Sequence, residues 1–269
     1  MELELFAALA ALGLGTGFLA GLLGIGGGMV LVPFLTYILS AQGVGTELAV
    51  KMAIATSMAT ILFTSIASVR AHHRRGAVWW APVARLAPGI VVGSIVSSMG
   101  VFAVMKGDVL AVFFGVFVVV SAVQMFADRK PKPARELPGP VGQAGAGGFI
   151  GFLSGLVGAG GGFISVPYMT WCNVPIHNAI ATSAALGFPI ALVNVAGYIL
   201  SGRQVDGLPA ASLGYVWLPA LAVVALGTVF TAPLGARAAH ALPVPRLKKI
   251  FGALLFVLAA YMFYRGAAG

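Results

Sequence analysis

One glycine-rich apolar segment is written twice in this chain of 269 residues. Residues 17–36 read GFLAGLLGIGGGMVLVPFLT and residues 151–170 read GFLSGLVGAGGGFISVPYMT, with twelve of the twenty positions identical at an offset of 134. A second signature follows each copy, AIATS at Ala53–Ser57 and again at Ala179–Ser183, now at an offset of 126. Consecutive glycines interrupt a helix, and an interrupted helix survives in hydrocarbon only where its backbone is buried in protein or lines a cavity. Two matched breaks in two halves of one hydrophobic chain point to a transport site at the interface between the halves.

Composition supports a membrane setting. The chain is 59% hydrophobic and only 9% charged, where a soluble domain carries about a quarter charged residues. Apolar runs near the ~18–20 residues needed to cross a bilayer recur along its length. The net charge of +9 then reports basic loops on one side of a bilayer rather than a nucleic-acid partner. The start, Met-Glu-Leu-Glu, has no basic n-region and predicts no cleaved secretory signal. The single cysteine, Cys172, excludes an intrachain disulfide, and the four histidines have no metal-ligand spacing, so neither metal nor cofactor is expected. All seven carboxylates (Glu2, Glu4, Glu47, Asp108, Asp128, Glu136, Asp206) fall at a terminus or in an expected loop. Proton pumps and many cation carriers rely on buried Asp or Glu; an anionic or neutral substrate fits better here.

The apolar segments divide five and five: 4–24, 28–40, 48–69, 78–104 and 108–127, then 142–158, 161–172, 178–200, 211–233 and 247–265. The reading is an all-α polytopic membrane protein with a first transmembrane repeat over 1–127, a cytoplasmic linker over 128–141 and a second repeat over 142–269. The second segment of each half is too short for an ordinary crossing, which leaves two topologies. Five crossings per half give inverted repeats; four, with the short segment re-entrant, give parallel ones. The inverted arrangement puts twelve of the sixteen basic residues on the inner side and the parallel one only ten, so the positive-inside rule favours inversion. Trp79 and Trp80 then suit an interfacial aromatic belt.

The repeated residues suggest a chemistry. Helices restarting after Gly26, Gly27 and Gly28, and after Gly160, Gly161 and Gly162, would present free N–H groups and a positive dipole end, an anion site. Gly13, Gly17 and Gly21, with Gly147, Gly151 and Gly155, have the spacing of a helix-packing ridge. Pro33 and Pro167 read as kinks. Thr56 and Ser57, with Thr182 and Ser183, offer hydroxyls to an anion's oxygens, or else bond back to their own helices. At the 126 offset Lys51 matches His177 and Met52 matches Asn178. His177 is the best proton-coupling candidate, with a solvated histidine and a snorkelling lysine as the structural alternative.

In GLLGIGGGMVLVP, in its second copy GLVGAGGGFISVP and in the paired AIATS signatures, the chain resembles the TauE/SafE family of sulfite and organosulfonate exporters. The resemblance covers essentially the whole chain. It implies a multi-pass carrier in the bacterial inner membrane for small sulfur-containing anions such as sulfite or sulfoacetate, exporting by alternating access. Uptake rather than export, or an anion channel, are the alternatives; an enzyme is disfavoured, because no carboxylate pair, metal cluster or nucleophile–base pair falls in the spans. The expected partners are the bilayer and a small anion, and no residue pattern sets an oligomeric state.

Overall fold

The computed structural model describes residues 3–23, 27–127, 135–238 and 244–267. Ten helices run through them: α1 Leu3–Leu23, α2 Gly28–Ala41, α3 Thr46–His73, α4 Trp80–Val104, α5 Gly107–Ala127, α6 Pro140–Val157, α7 Gly162–Trp171, α8 Ile176–Ser201, α9 Leu218–Ala238 and α10 Val244–Ala267. Seven of them are long and apolar enough to cross a membrane; α2, α6 and α7 are the exceptions. At 1.5 Å per residue α2 is about 21 Å long and α7 about 15 Å, short of the ~30 Å hydrocarbon core. The protein is an all-α, multi-pass membrane protein.

Two expectations change in detail. The stretch 211–217 is not helical: Ala211 and Gly214 both have left-handed backbones, φ 61° and φ 55°, which a right-handed helix cannot contain. It forms instead a small hairpin, β1 Ser212–Leu213 against β2 Val216–Trp217, and the helix starts at Leu218. Within α4, residues Val96–Val101 form a π-helical turn, which no proline or glycine cluster announces. Glu4, Glu47 and Asp108 occupy first turns of helices, where the positive dipole end favours a carboxylate.

Burial sorts the helices. The apolar windows of α3 and α8 are 67% and 61% buried, against 33–44% for the other five spans. These two pack on each other at the centre. Around them α1 packs along α9, α6 along α4, and α5 along α10. The outer helices turn Val92, Val96, Val104, Val116, Val120, Leu226 and Phe230 outward, an apolar surface fit for lipid.

Contacts at the helix ends fix directions. On one face, Arg265 at the end of α10 donates to Ser40 at the end of α2 and to Thr46 at the start of α3. Lys51 near the start of α3 reaches Ala103 O at the end of α4 (3.5 Å), and Gly107 at the start of α5 packs on Glu47. On the other face, Asn178 at the start of α8 donates to Ala77 O between α3 and α4 (2.9 Å), and Arg135, following α5, lies 3.5 Å over the ring of Trp171 at the end of α7. Hence α3 and α8 run antiparallel. The α1–α2 pair enters and leaves by the first face, the α6–α7 pair by the second.

Candidate functional site

Each glycine break turns on a left-handed residue. Gly27 (φ 72°) caps α2 and Gly161 (φ 76°) caps α7, a conformation that costs an L side chain roughly 1–2 kcal/mol. Gly26 lies outside the described residues. The two breaks meet: a side-chain carbon on Gly28 would collide with Gly158 O and stand 3.0 Å from Ala159 Cα, so the two segments touch backbone to backbone. Ser57, fully buried, donates to Gly158 O at 3.1 Å and thereby ties α3 to the break of the second half. Pro33 and Pro167 lie within α2 and α7, one to two turns past the breaks.

Beside this junction is a cavity of about 30 Å³, lined by Thr64, Ser65 and Ser68 of α3, Gly160 of the break, and Ser183 and Gly187 of α8. It has the scale of ordered water. Its hydroxyls are held by neighbours: Ser183 Oγ shares a hydrogen with Ser165 Oγ at 2.6 Å, Ser65 donates to Leu62 O at 3.0 Å, and Thr64 donates to Thr228 Oγ1 at 2.9 Å. Ala20, Ile61 and Ala184 complete the wall, and among the described residues no ionisable side chain lines it. Ile164 and Ser165 already donate to Gly161 O at 3.0 and 2.9 Å, so in the first turn of α7 only the N–H groups of Gly162 and Phe163 lack an intrahelical acceptor, and the positive end of the α7 dipole lies at this break. The positive helix end favours an anion over a cation here.

The threonines of the AIATS motifs are engaged elsewhere, in one matched pattern. Thr56 Oγ1 accepts the backbone N–H of Trp217 at 2.9 Å, and Thr182 Oγ1 accepts that of Trp79 at 3.0 Å. Each tryptophan immediately precedes the fourth helix of its half, so each threonine pins the helix entry of the opposite half. Gly162 opens α7. His177 is exposed at the start of α8, and Asn178 is spent on Ala77 O. Lys51, matched to His177, is instead buried at 7% exposure, 5.7 Å from the centre of the Tyr215 ring; it does not snorkel. The structure therefore gathers Gly28, Gly160, Gly161, Ser57 and Ser183 around one junction and leaves Thr56, Thr182, His177 and Asn178 off the cavity wall.

Thr64, Ser65 and Ser68 were not singled out by repeat matching. Their signal was present: Thr60, Thr64 and Ser68 recur every four residues, one stripe of a helix. Among the described residues no three His, Cys, Asp or Glu side chains come together as a metal site would require.

Comparison with known proteins gives a consistent picture. Residues 9–262 match the family model described as "Sulfite exporter TauE/SafE". The chain is 36% identical over 250 residues to a "Probable membrane transporter protein" of Haemophilus influenzae, covering 93% of this chain and 94% of that one. A similarly named protein of Methanocaldococcus jannaschii is 28% identical over 257 residues, covering 91% of each chain. One from Bacillus subtilis is 26% identical over 288 residues, covering 97% of this chain and 98% of that one. No solved structure matches the chain.

Proposed function

The chain belongs to the sulfite exporter TauE/SafE family, a membrane transporter and not an enzyme, and we propose that its cargo is a small sulfur-containing oxyanion such as sulfite or sulfoacetate. The observation that carries this reading is the meeting of the two glycine breaks, Gly28 against Gly158, beside a small cavity whose wall among the described residues combines four hydroxyl residues with apolar side chains and no ionisable group. The site consists of Gly27, Gly28, Gly160, Gly161, Gly162, Ser57 and Ser183, extended by Thr64, Ser65 and Ser68. Thr56 and Thr182 serve it from behind, as pins.

We further propose that the halves are inverted repeats in the cytoplasmic membrane, exporting by alternating access. In support, α1–α2 and α6–α7 enter from opposite faces, as set out above. Arg70, Arg74, Arg75 and Arg135 lie on the face from which α6–α7 enters, and the positive-inside rule makes that face cytoplasmic. Each hairpin then borders the route to one side of the bilayer, with the junction between them.

The test is counterflow of labelled sulfite and of labelled sulfoacetate into proteoliposomes holding the purified protein. Saturable counterflow of one anion is expected. A leak that rises linearly with concentration would make the protein a channel, and no flux of either anion through folded protein would remove the substrate class.

A further inference from the structure

Where α4, α6 and α8 meet, one turn before the second glycine break, several buried oxygens are left without partners. Asn194 is fully buried and donates its amide to Ile190 O at 2.8 Å, while its Oδ1 accepts nothing. The hydroxyls of Ser94, Ser97 and Ser154, each at most 2% exposed, likewise have no partner. A side-chain carbon on Gly155 would overlap both Asn194 Oδ1 and Ser97 Oγ, so these two oxygens converge on one spot. Ser94 Oγ is one turn back, 2.9 Å from the same point on Gly151. Ser97 itself belongs to the π-helical turn of α4, a distortion frequent at functional sites.

Helix packing does not demand these groups. The α1–α9 interface repeats the register of the α6–α4 one: Gly13 meets Val224 as Gly147 meets Leu86, and Gly17 meets Thr228 as Gly151 meets Ile90. At those same offsets Ser94, Ser97 and Ser154 correspond to Ala232, Gly235 and Ala20. At these three positions the α1–α9 interface has alanine or glycine, and its own Thr228 and Thr231 hydroxyls are bonded to Ala225 O and Gly227 O. Its counterpart holds unpaired oxygens, each of which destabilises the fold if nothing binds it.

The sign of a ligand follows from the same groups. The carboxyl end of α6 carries partial negative charge, the one amide donor of the nest is already used, and the Tyr198 hydroxyl is spent on Gly155 O. The serine hydroxyls can turn either a hydrogen or a lone pair inward, so the group that decides is Asn194 Oδ1, which can only accept and faces an anion with repulsion and a cation with attraction. Oxygen ligands without a carboxylate suit a singly charged hard cation better than a divalent one. We propose that Ser97 and Asn194, flanked by Ser94 and Ser154 at the carboxyl end of α6, hold an alkali cation of the sodium class. Ser154 Oγ stands 3.1 Å from where a side-chain carbon on Gly161 would lie. A cation at the end of α6 and an anion at the start of α7 would therefore face each other across one break, which is a direct electrostatic route to coupled movement. Coupling rests on the transport reading above; the cation site does not.

The experiment is binding of ²²Na⁺ to the purified full-length protein in lipid nanodiscs, read by scintillation proximity, with choline chloride holding ionic strength. Saturable binding is expected, displaced by unlabelled Na⁺. Ser97→Ala, a one-atom change, should weaken it at least ten-fold, as should Asn194→Ala. Ser121→Ala, whose hydroxyl bonds Phe117 O in α5, should leave it unchanged. Absence of saturable binding to folded wild-type protein, or equal binding in both site variants, overturns the proposal and makes the nest a water site. Anion counterflow without Na⁺ binding sinks the cation site alone; Na⁺ binding without anion flux sinks the substrate reading alone.

Discussion

Replacing Thr56 and Thr182 by valine separates the two roles open to these hydroxyls. Valine keeps the volume and β-branch, so only the acceptor for a tryptophan N–H is lost. The two sites differ in exposure: Trp217 is 4% exposed, whereas Trp79 is 40% exposed. At Trp217 no solvent can replace the threonine, and Thr56→Val strands a buried donor at a cost of about 1–3 kcal/mol. At Trp79 water can take over, so Thr182→Val forfeits only the ordinary net value of a hydrogen bond, about 0.5–1.5 kcal/mol. The assay is thermal unfolding in detergent followed by a thiol-reactive dye on Cys172, the chain's single cysteine, beside KM for anion counterflow. Thr56→Val should melt earlier than Thr182→Val, Thr56→Ser should recover most of the loss, and KM should stay within about two-fold in all three. Unchanged melting with a KM raised five-fold or more would mean that the hydroxyls serve the anion, and the pin assignment would be wrong.

Gly27→Val and Gly161→Val should each abolish counterflow while the protein still reaches the membrane, because φ values of 72° and 76° exclude a β-branched residue; wild-type rates in both would remove the glycine breaks from the mechanism. Ser183→Ala takes one hydroxyl from the cavity and should raise KM about five-fold, the equivalent of a ~1 kcal/mol hydrogen bond, as measured in the same counterflow assay. Burial pushes the Cys172 thiol up and Arg135 pulls it partly back. Arg135→Ala therefore lowers the thiolate fraction at a given pH. Faster maleimide labelling of Cys172 in that variant would have to come from opening of the α7 end, and that acceleration is the expected result.

Much of the fold could be read from the chain because its two halves say the same thing. Helix α2 begins at Gly28, where GGG ends, and α7 at Gly162, where the second GGG ends, since consecutive glycines mark a break whatever surrounds them. The hairpin at 211–217 was hidden because its residues are as apolar as a helix, and only the left-handed Ala211 and Gly214 set it apart. At the site, repeat matching found Ser57 and Ser183 but also weighted Thr56 and Thr182, whose duplication reflects a duplicated tertiary hydrogen bond. Matching is blind in the other direction too. Thr64 corresponds to Ile190 and Ser97 to Gly235, so the residues that make the halves differ chemically carry no repeat signal at all.

The packing also constrains which parts can move. A carrier that rocks one sequence half against the other would have to slide α1 along α9 and α6 along α4. Those are close-packed seams: added side-chain carbons on Gly13 and Gly17, or on Gly147 and Gly151, would strike the opposing backbone. Such interfaces have two discrete packings or one, not a continuum. The rigid bodies are therefore expected to be the cross-half pairs α1–α9 and α4–α6, with motion at the looser contacts they make on α3 and α8. In a Cys172→Ser background, disulfides engineered between facing positions of α1 and α9 should leave counterflow above half of the reduced rate. A disulfide joining the start of α2 to the end of α6, near Gly28 and Gly158, should stop it until reductant is added. If the α1–α9 link alone arrests transport, the halves move as sequence units and the seams are the sliding surfaces.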